Sequence, residues 1–136
     1  MIKREIIQSA VTLVQKLGHV FVATADSKGL PHVAAAGRIN LGAEGLLAVA
    51  AWFCPGTVVN LEHNTKITLV VWDAVADTGY QLLGNVEKIE ETAMMDGYIP
   101  EMESTGPSPQ VERQLLVKVN KVMAFSHAPH SDLEEG

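Results

Sequence analysis

Apolar residues near the start of the chain recur with the spacing of an α-helix. The residues that share this face are Ile6, Ala10, Leu13, Val14 and Leu17. Polar residues occupy most positions between them, so the pattern predicts an amphipathic helix over residues 2–17. Gly18 follows directly and is of the residue type that most often ends a helix, because glycine adopts a positive φ at little cost.

After residue 18 the pattern changes to short apolar or alternating runs bounded by turn-forming residues, which is typical of β-strands. The predicted strands cover residues 19–25, 31–41, 46–53, 66–73, 79–89 and 113–126. One short helix is predicted after Pro55-Gly56 and another over residues 90–98, followed by a loop over 99–110. Six strands with hairpin-length connections predict a mainly β fold, an antiparallel barrel with flanking helices.

The length and composition of the chain indicate one globular domain with apolar surface to spare. We expect the domain to cover residues 1–126 and a loose polar tail to follow over 127–136. Hydrophobic residues make up 47% of the 136 residues and charged ones 19%, a balance that would suit an oligomer. The net charge of −6 disfavours binding to nucleic acid or to an anionic membrane surface.

Cysteine usage and the absence of long apolar runs favour the cytoplasm as the location. The single cysteine, Cys54, excludes an internal disulfide and a cysteine-rich metal site. No run is long enough to span a membrane, and no secretory pattern follows the charged start. Cys54 precedes a predicted helix, a position compatible with a reactive thiol, but its neighbours Phe53 and Pro55 favour a buried apolar side chain.

The stretch from Trp52 to Leu61 carries the strongest sign of a binding site. Its apolar strand stops at Pro55-Gly56, and Thr57 then stands where a helix N-cap is expected. Free backbone N–H groups and the positive end of the helix dipole would suit a phosphate at this edge of the sheet. An ordinary connection between a strand and a helix is the alternative that this segment leaves open.

Arg38 is the one charged residue of the predicted strand 31–41. A guanidinium in such an apolar setting needs an anion, either a phosphate or a carboxylate such as Glu44 or another on the surface. Its surroundings are small: Ala34, Ala35, Ala36 and Gly37 on the same strand, and Ala48, Ala50 and Ala51 on the next. Such a patch permits close approach of a flat ligand or a second subunit, and equally tight packing of a helix.

The sequence contains no recognised catalytic or nucleotide-binding motif. His127 and His130 could bind a metal together with a third ligand, but Pro129 prevents a regular helical presentation and no acidic or cysteine partner is nearby in sequence, so an ordinary solvated tail is favoured. We therefore name no catalytic side chain and no metal ligand.

The order of these segments resembles that of the pyridoxamine 5′-phosphate oxidase-like family, the FMN-binding split barrels. The resemblance covers about residues 5–126 and rests on the order and spacing of loose motifs. They are Phe21-Val22-Ala23-Thr24-Ala25-Asp26, Pro31-His32-Val33, Trp52-Phe53, Thr57, Asn60-Leu61, Asn64-Thr65-Lys66-Ile67, Leu69-Val70-Val71-Trp72, Gly84-Asn85-Val86-Glu87 and the closing strand 116–125. The fold that this resemblance implies is a six-stranded antiparallel split β-barrel with Greek-key character.

The resemblance also implies a homodimer that holds FMN at the subunit interface. Carried over position by position, the resemblance implies that FMN is contacted by Arg38, Ile39, Asn40, Ala51, Trp52, Thr57, Val58 and Asn60. The last three would meet the phosphate or the ribityl chain, and the ring would lie against the alanine-rich strands.

The function that the resemblance implies is an FMN-dependent oxidoreductase passing hydride or electrons to a small-molecule acceptor. The chain departs from the family pattern because it has no Lys or Arg between Trp52 and Asn60, where many members carry a basic residue. It also lacks the longer basic C-terminal segment of true pyridoxamine phosphate oxidases, so we do not expect vitamin B6 oxidation. The alternatives are a non-enzymatic electron carrier or redox sensor, and a split barrel that binds heme or a deazaflavin.

Overall fold

The computed structural model describes residues 4–42, 44–51, 55–94, 111–129 and 133–135. Its elements are, in chain order, α1 Arg4–Leu17, β1 Val20–Ala25, β2 Pro31–Ala36, β3 Arg38–Leu41, β4 Leu47–Ala51, α2 Pro55–His63, β5 Lys66–Asp73, β6 Thr78–Met94, β7 Val111–Ala124 and β8 Glu134–Glu135. The prediction of a mainly β chain with minor helix is confirmed.

The strands form one antiparallel sheet in the order β2-β1-β5-β6-β7-β4-β3, with β8 added to β7. The predicted strand 31–41 is two strands, because β2 pairs with β1 whereas β3 pairs with β4. Gly37 alone separates them along the chain, although they occupy opposite ends of the sheet order. The sheet must therefore curl until its two edges meet, which produces the half-open barrel expected of a split barrel.

The core lies inside this curl and is built from the alternate side chains of each strand. In β5, Ile67, Leu69 and Val71 are buried whereas the residues between them are partly exposed. Helix α1 packs against β3, β5 and β6 and contributes Val11 and Val14 to the core. Gly18 ends α1 as predicted, with a φ of 82° and its N–H bonded to the Val14 carbonyl at 2.7 Å.

The predicted helix over residues 90–98 is wrong where the structure describes it, because β6 continues to Met94. The pairing of β6 with β7 shifts register after Val86 and again after Glu91. Such bulges place consecutive residues irregularly with respect to the two faces, so the alternation that signals a strand is lost. Residues 95–98 and the predicted loop 99–110 lie outside the described residues.

The tail after β7 is attached to the sheet at two points, where the sequence predicted a loose segment. Strand β8 pairs with Val122 and Met123, and the Lys121 ammonium lies 3.5 Å from a carboxylate oxygen of Glu134. Nearer the barrel, the carboxylate of Asp77 accepts the backbone N–H groups of His127 at 2.7 Å and Ala128 at 3.0 Å. It also accepts the indole N–H of Trp72 at 3.0 Å, so one side chain joins the β5–β6 turn to the tail.

We expect acid to weaken this attachment. The N–H donors of His127, Trp72 and Ala128 hold the pKa of Asp77 below its ordinary value of 3.8. A carboxyl whose pKa is lower in the folded state stabilises that state above its unfolded pKa, and this contribution is lost as the pH falls through the folded pKa. Amide hydrogen exchange of His127 and Ala128 should therefore accelerate as the pH falls below about 4, relative to β5 amides.

Asp77→Asn should show accelerated exchange already at neutral pH. The substitution removes the charge, and asparagine tolerates the positive φ of 54° at this position. Unchanged protection of both amides in this variant would contradict the assigned role of the carboxylate.

No helix in the described ranges is long and apolar enough to cross a membrane.

Candidate functional site

Side chains of β3, β4 and β7 form a continuous outer surface on one half of the barrel. Arg38 stands opposite Ala50 and Asn40 opposite Ala48. On the other side of β4, Ala50 stands opposite Gln114 and Ala48 opposite Leu116. We call the surface formed by Arg38, Asn40, Ala48, Ala50, Gln114 and Leu116 the Arg38 face.

The middle of the Arg38 face is a shallow depression, because the side chains that its central strand, β4, contributes are only the methyl groups of Ala48 and Ala50. Ala48 and Ala50 are half-buried, with the longer side chains of β3 on one side and those of β7 on the other. Neighbouring strands lie about 4.8 Å apart, so the two alanines form the floor of a shallow trough about two strand spacings wide. Such a floor admits a flat group close to the backbone.

The three residues of β3 that the resemblance implies to contact FMN do not all lie on the same side of the strand. Arg38 and Asn40 are exposed on the Arg38 face, whereas the side chain of Ile39 is buried in the core. Ile39 can therefore offer a ligand only its backbone groups. Ala51 ends β4, and Trp52 lies outside the described residues.

The guanidinium of Arg38 forms an ion pair with the carboxylate of Glu112 on β7. Of the two options the sequence left open, a surface carboxylate is thus present, and it is Glu112 rather than Glu44. The Arg38 side chain is 63% exposed even so, whereas that of Glu112 is 15% exposed. Because the Arg38 side chain remains largely in solvent, screening weakens this pair and leaves Arg38 accessible to another anionic partner.

Helix α2 begins at Pro55, two residues before the predicted N-cap at Thr57. Proline is favoured in the first helical turn because its fixed φ suits the helix and its missing N–H needs no partner there. Thr57 is fully buried inside the helix instead of capping it, so the predicted capping role is wrong. Gly56, by contrast, is exposed in the first turn.

The side chain of Asn60 also faces inward. Its amide donates a hydrogen bond of 3.1 Å to the hydroxyl of Thr24 on β1, and both residues are buried. Val58 packs against the core as a partly buried residue. What α2 offers to an anion is therefore the backbone of its first turn and the positive end of its dipole, whereas Thr57 and Asn60 are buried.

The start of α2 lies close to the Arg38 face along the chain. Ala51 and Pro55 are joined by four peptide units, so their Cα atoms are at most about 15 Å apart. The exposed Arg38, the alanine floor and the helix start thus form one candidate site, with polar groups near its ends and a flat apolar centre.

The geometry of the described residues gives no support to a metal site. In the parts of the chain that the structure describes, no group of three or more His, Cys, Asp or Glu residues could hold a metal ion. Cys54 and His130 lie outside those parts.

The structure adds Glu112, Gln114 and Leu116 to the site, which sequence reasoning missed. They lie more than sixty residues after β4 and meet it only through strand pairing. A local pattern predicts a strand but not which strand becomes its neighbour, so the sequence carries no signal for these residues.

A family model described as pyridoxamine 5′-phosphate oxidase matches residues 6–122 of the chain. No curated protein matches the sequence significantly.

Solved structures of similar fold come from several organisms. HupZ of Group A Streptococcus superposes with a TM-score of 0.63 at 20% identity, over 100% of both chains. An FMN-binding protein of Syntrophomonas wolfei gives 0.61 at 16% identity, over 92% of this chain and 89% of its own. A structure described as an F420 reductase gives 0.56 at 16% identity, over 82% of this chain and 93% of its own. At these identities the similarity shows the fold alone.

Proposed function

The chain belongs to the pyridoxamine 5′-phosphate oxidase family, and we propose that it is a cytoplasmic FMN-dependent oxidoreductase with a small-molecule electron donor and acceptor. The observation that carries the proposal is the Arg38 face, whose shape and polarity suit a flat ring bearing a phosphate. We propose that two copies of the chain form a homodimer and hold FMN between them.

The residues present fit the two ends of FMN. The half-buried Ala48 and Ala50 leave room for the flat ring against the backbone of β4. The phosphate would lie at the first turn of α2, where the backbone of the turn and the positive end of the helix dipole favour an anion. Arg38 would supply the positive charge that α2 lacks, since the first turn contains no charged residue.

The chain's own part in the reaction is to bind and orient. FMN, when bound, supplies the redox chemistry, and the protein positions its reactive atoms and shields them from water. Asn40 can hydrogen-bond to the polar groups of the ligand from the edge strand, and Gln114 can do so from β7. The shielding must come from outside the Arg38 face, because this face is open on one side.

Arg38→Gln should weaken FMN binding by about tenfold, because it removes one charge-assisted contact to the phosphate. The test is titration of the purified protein with FMN, followed by quenching of flavin fluorescence. Glu112→Gln is the matched control: it removes the competing carboxylate and should leave affinity unchanged or raise it. Equal weakening in both variants would mean that FMN binding depends on the Arg38–Glu112 ion pair and not on a contact between Arg38 and the phosphate. A protein that takes up no FMN would refute the proposal.

The dimer is expected to form through the outer face of β1 and β2. Phe21 and Val33 are 43% and 62% exposed there, and the register places the small Ala35 opposite Phe21. Two bulky apolar side chains among alanines give a surface that a second copy could cover closely. Exposed apolar patches of this kind are typical of subunit contacts.

Phe21→Glu should convert the dimer to monomer and lower its FMN retention, because a buried unpaired carboxylate is costly at an interface. Sedimentation velocity with absorbance detection of bound flavin measures both. Val75→Glu is the control, since Val75 is 99% exposed in the β5–β6 turn and should change neither. A wild-type monomer, or a Phe21→Glu dimer, would contradict this interface.

A deazaflavin is the second candidate cofactor. It is favoured by the lack of any basic residue in the first turn of α2, and a similarly folded structure is described as an F420 reductase. Parallel titrations with FMN and F420 distinguish the two candidates. With the cofactor bound, oxidation of NAD(P)H by an external acceptor separates an enzyme from an electron carrier or sensor.

A further inference from the structure

A cavity of about 430 Å³ lies at the end of the barrel where β1 ends and β5 begins. Its lining residues are Ala23, Thr24, Ala25, Asn64, Lys66, Ile67, Thr68, Leu83, Gly84, Asn85 and Asn120. This volume is within the range of sites for small organic molecules, which is about 300–1,000 Å³.

The cavity is separate from the Arg38 face. Its walls come from β1, β5, β6 and β7, whereas Arg38 and the alanine floor are on β3 and β4. Helix α2 lies between the two sites along the chain. The phosphate of the cofactor is proposed to lie at its first turn, and Asn64 follows its last residue, about 13 Å away for a helix of this length.

Hydrogen bonding around the cavity leaves donors for a ligand. The side-chain oxygen of Asn64 accepts the backbone N–H of Lys66 at 3.2 Å, so its NH₂ group is directed elsewhere. The side-chain oxygen of Asn85 accepts the hydroxyl of Thr65 at 3.4 Å. Neither NH₂ group donates to any residue that the structure describes, and both border the cavity.

Charge around the cavity is positive in a chain whose net charge is −6. Lys66 borders it and is in no ion pair with the described residues. None of the lining residues is acidic. The cavity thus presents two amide donors and an ammonium group, and no carboxylate lines it. This combination suits an anion, because charge-assisted hydrogen bonds stabilise it and no lining residue repels it.

The remaining lining is apolar. Ala23 and Ala25 present methyl groups, and Ile67 and Leu83 are apolar residues of the neighbouring strands. We propose that this cavity binds a small organic anion, a carboxylate or phosphate carried on an apolar ring or short chain. The anionic group would lie between Lys66, Asn64 and Asn85, and the apolar part would lie over Ala25 and Leu83.

Phenyl phosphate and benzoate are suitable probes, with phenol as the uncharged counterpart. We expect either anion, added to the protein as purified, to shift the side-chain NH₂ NMR signals of Asn64 and Asn85, and phenol to leave them in place. A stronger response to phenyl phosphate would identify a phosphate site, and a stronger response to benzoate a carboxylate site. Shifts confined to residues of the Arg38 face would overturn the proposal.

Lys66→Gln should weaken binding of the stronger anion by about tenfold while preserving the fold, because Lys66 is exposed and its aliphatic part is kept. Lys28→Gln, an exposed lysine in the β1–β2 turn, is the matched control and should bind as the wild type does. Equal affinities in the Lys66 variant and the wild type would overturn the proposal. FMN retention should be the same in both variants, so failure of either site is seen independently of the other.

Discussion

Gly84→Ala is expected to lower the free energy of unfolding by about 3 kcal/mol. A Cβ at this position would overlap the carbonyl oxygen of Lys118 and lie 3.0 Å from its carbonyl carbon and 3.1 Å from the Cα of Val119. All of these atoms belong to the backbone of β7, which is held by pairing on both sides of the contact. They can retreat only if the β6–β7 ladder shifts, and close-packed interiors resist such shifts.

Gly37→Ala is the control for this prediction. The nearest atom to a Cβ at Gly37 is the Gly18 carbonyl oxygen at 3.8 Å, an ordinary van der Waals contact. We expect its free energy of unfolding to stay within about 0.5 kcal/mol of the wild type. Equilibrium denaturation in guanidinium chloride, followed by circular dichroism, measures both variants. Equal midpoints for the two would show that β7 yields easily at Lys118.

Gly56→Glu is expected to raise the Kd for FMN about 100-fold, because like charges brought together in a binding site cost several kcal/mol. Gly56 is exposed in the first turn of α2, where the phosphate is proposed to lie. The fold should not suffer, since a carboxylate near a helix N-terminus interacts favourably with the dipole. Weaker cofactor binding would thus accompany an equally or more stable protein, a combination that misfolding cannot produce.

Gly56→Gln separates charge from size. Glutamine has nearly the same shape as glutamate and should reduce FMN affinity far less. Flavin fluorescence quenching gives the affinities, and thermal denaturation without cofactor gives the stabilities. If both variants bind FMN as the wild type does, the phosphate does not lie at the start of α2.

Elements whose signal is local are the ones that the sequence predicted well. Strand β5 covers Lys66–Asp73, the range predicted from its alternation, and Gly18 ends α1 as its position indicated. In both cases the decisive interactions lie within a few residues of chain. The family resemblance was stronger than any single motif because it used the order of many such segments.

Features set by long-range pairing were not predictable in the same way. The alternating run 31–41 contains no sign that its halves join opposite edges of the sheet, because either partner suits an extended chain. The bulges of β6 made residues 90–94 look helical for a similar reason. At the candidate site, Arg38 and Asn40 could be chosen from the sequence, whereas Glu112 and Gln114 depend on how β4 and β7 align.

The single residue between β2 and β3 also bears on solubility. An open sheet has two edge strands with unpaired backbone groups, and such edges recruit strands from other chains. Here the two edges are consecutive in the sequence, so the turn at Gly37 holds them beside each other at the seam of the barrel. The chain thereby hinders edge-to-edge aggregation, and a long insertion at Gly37 would release both edges at once.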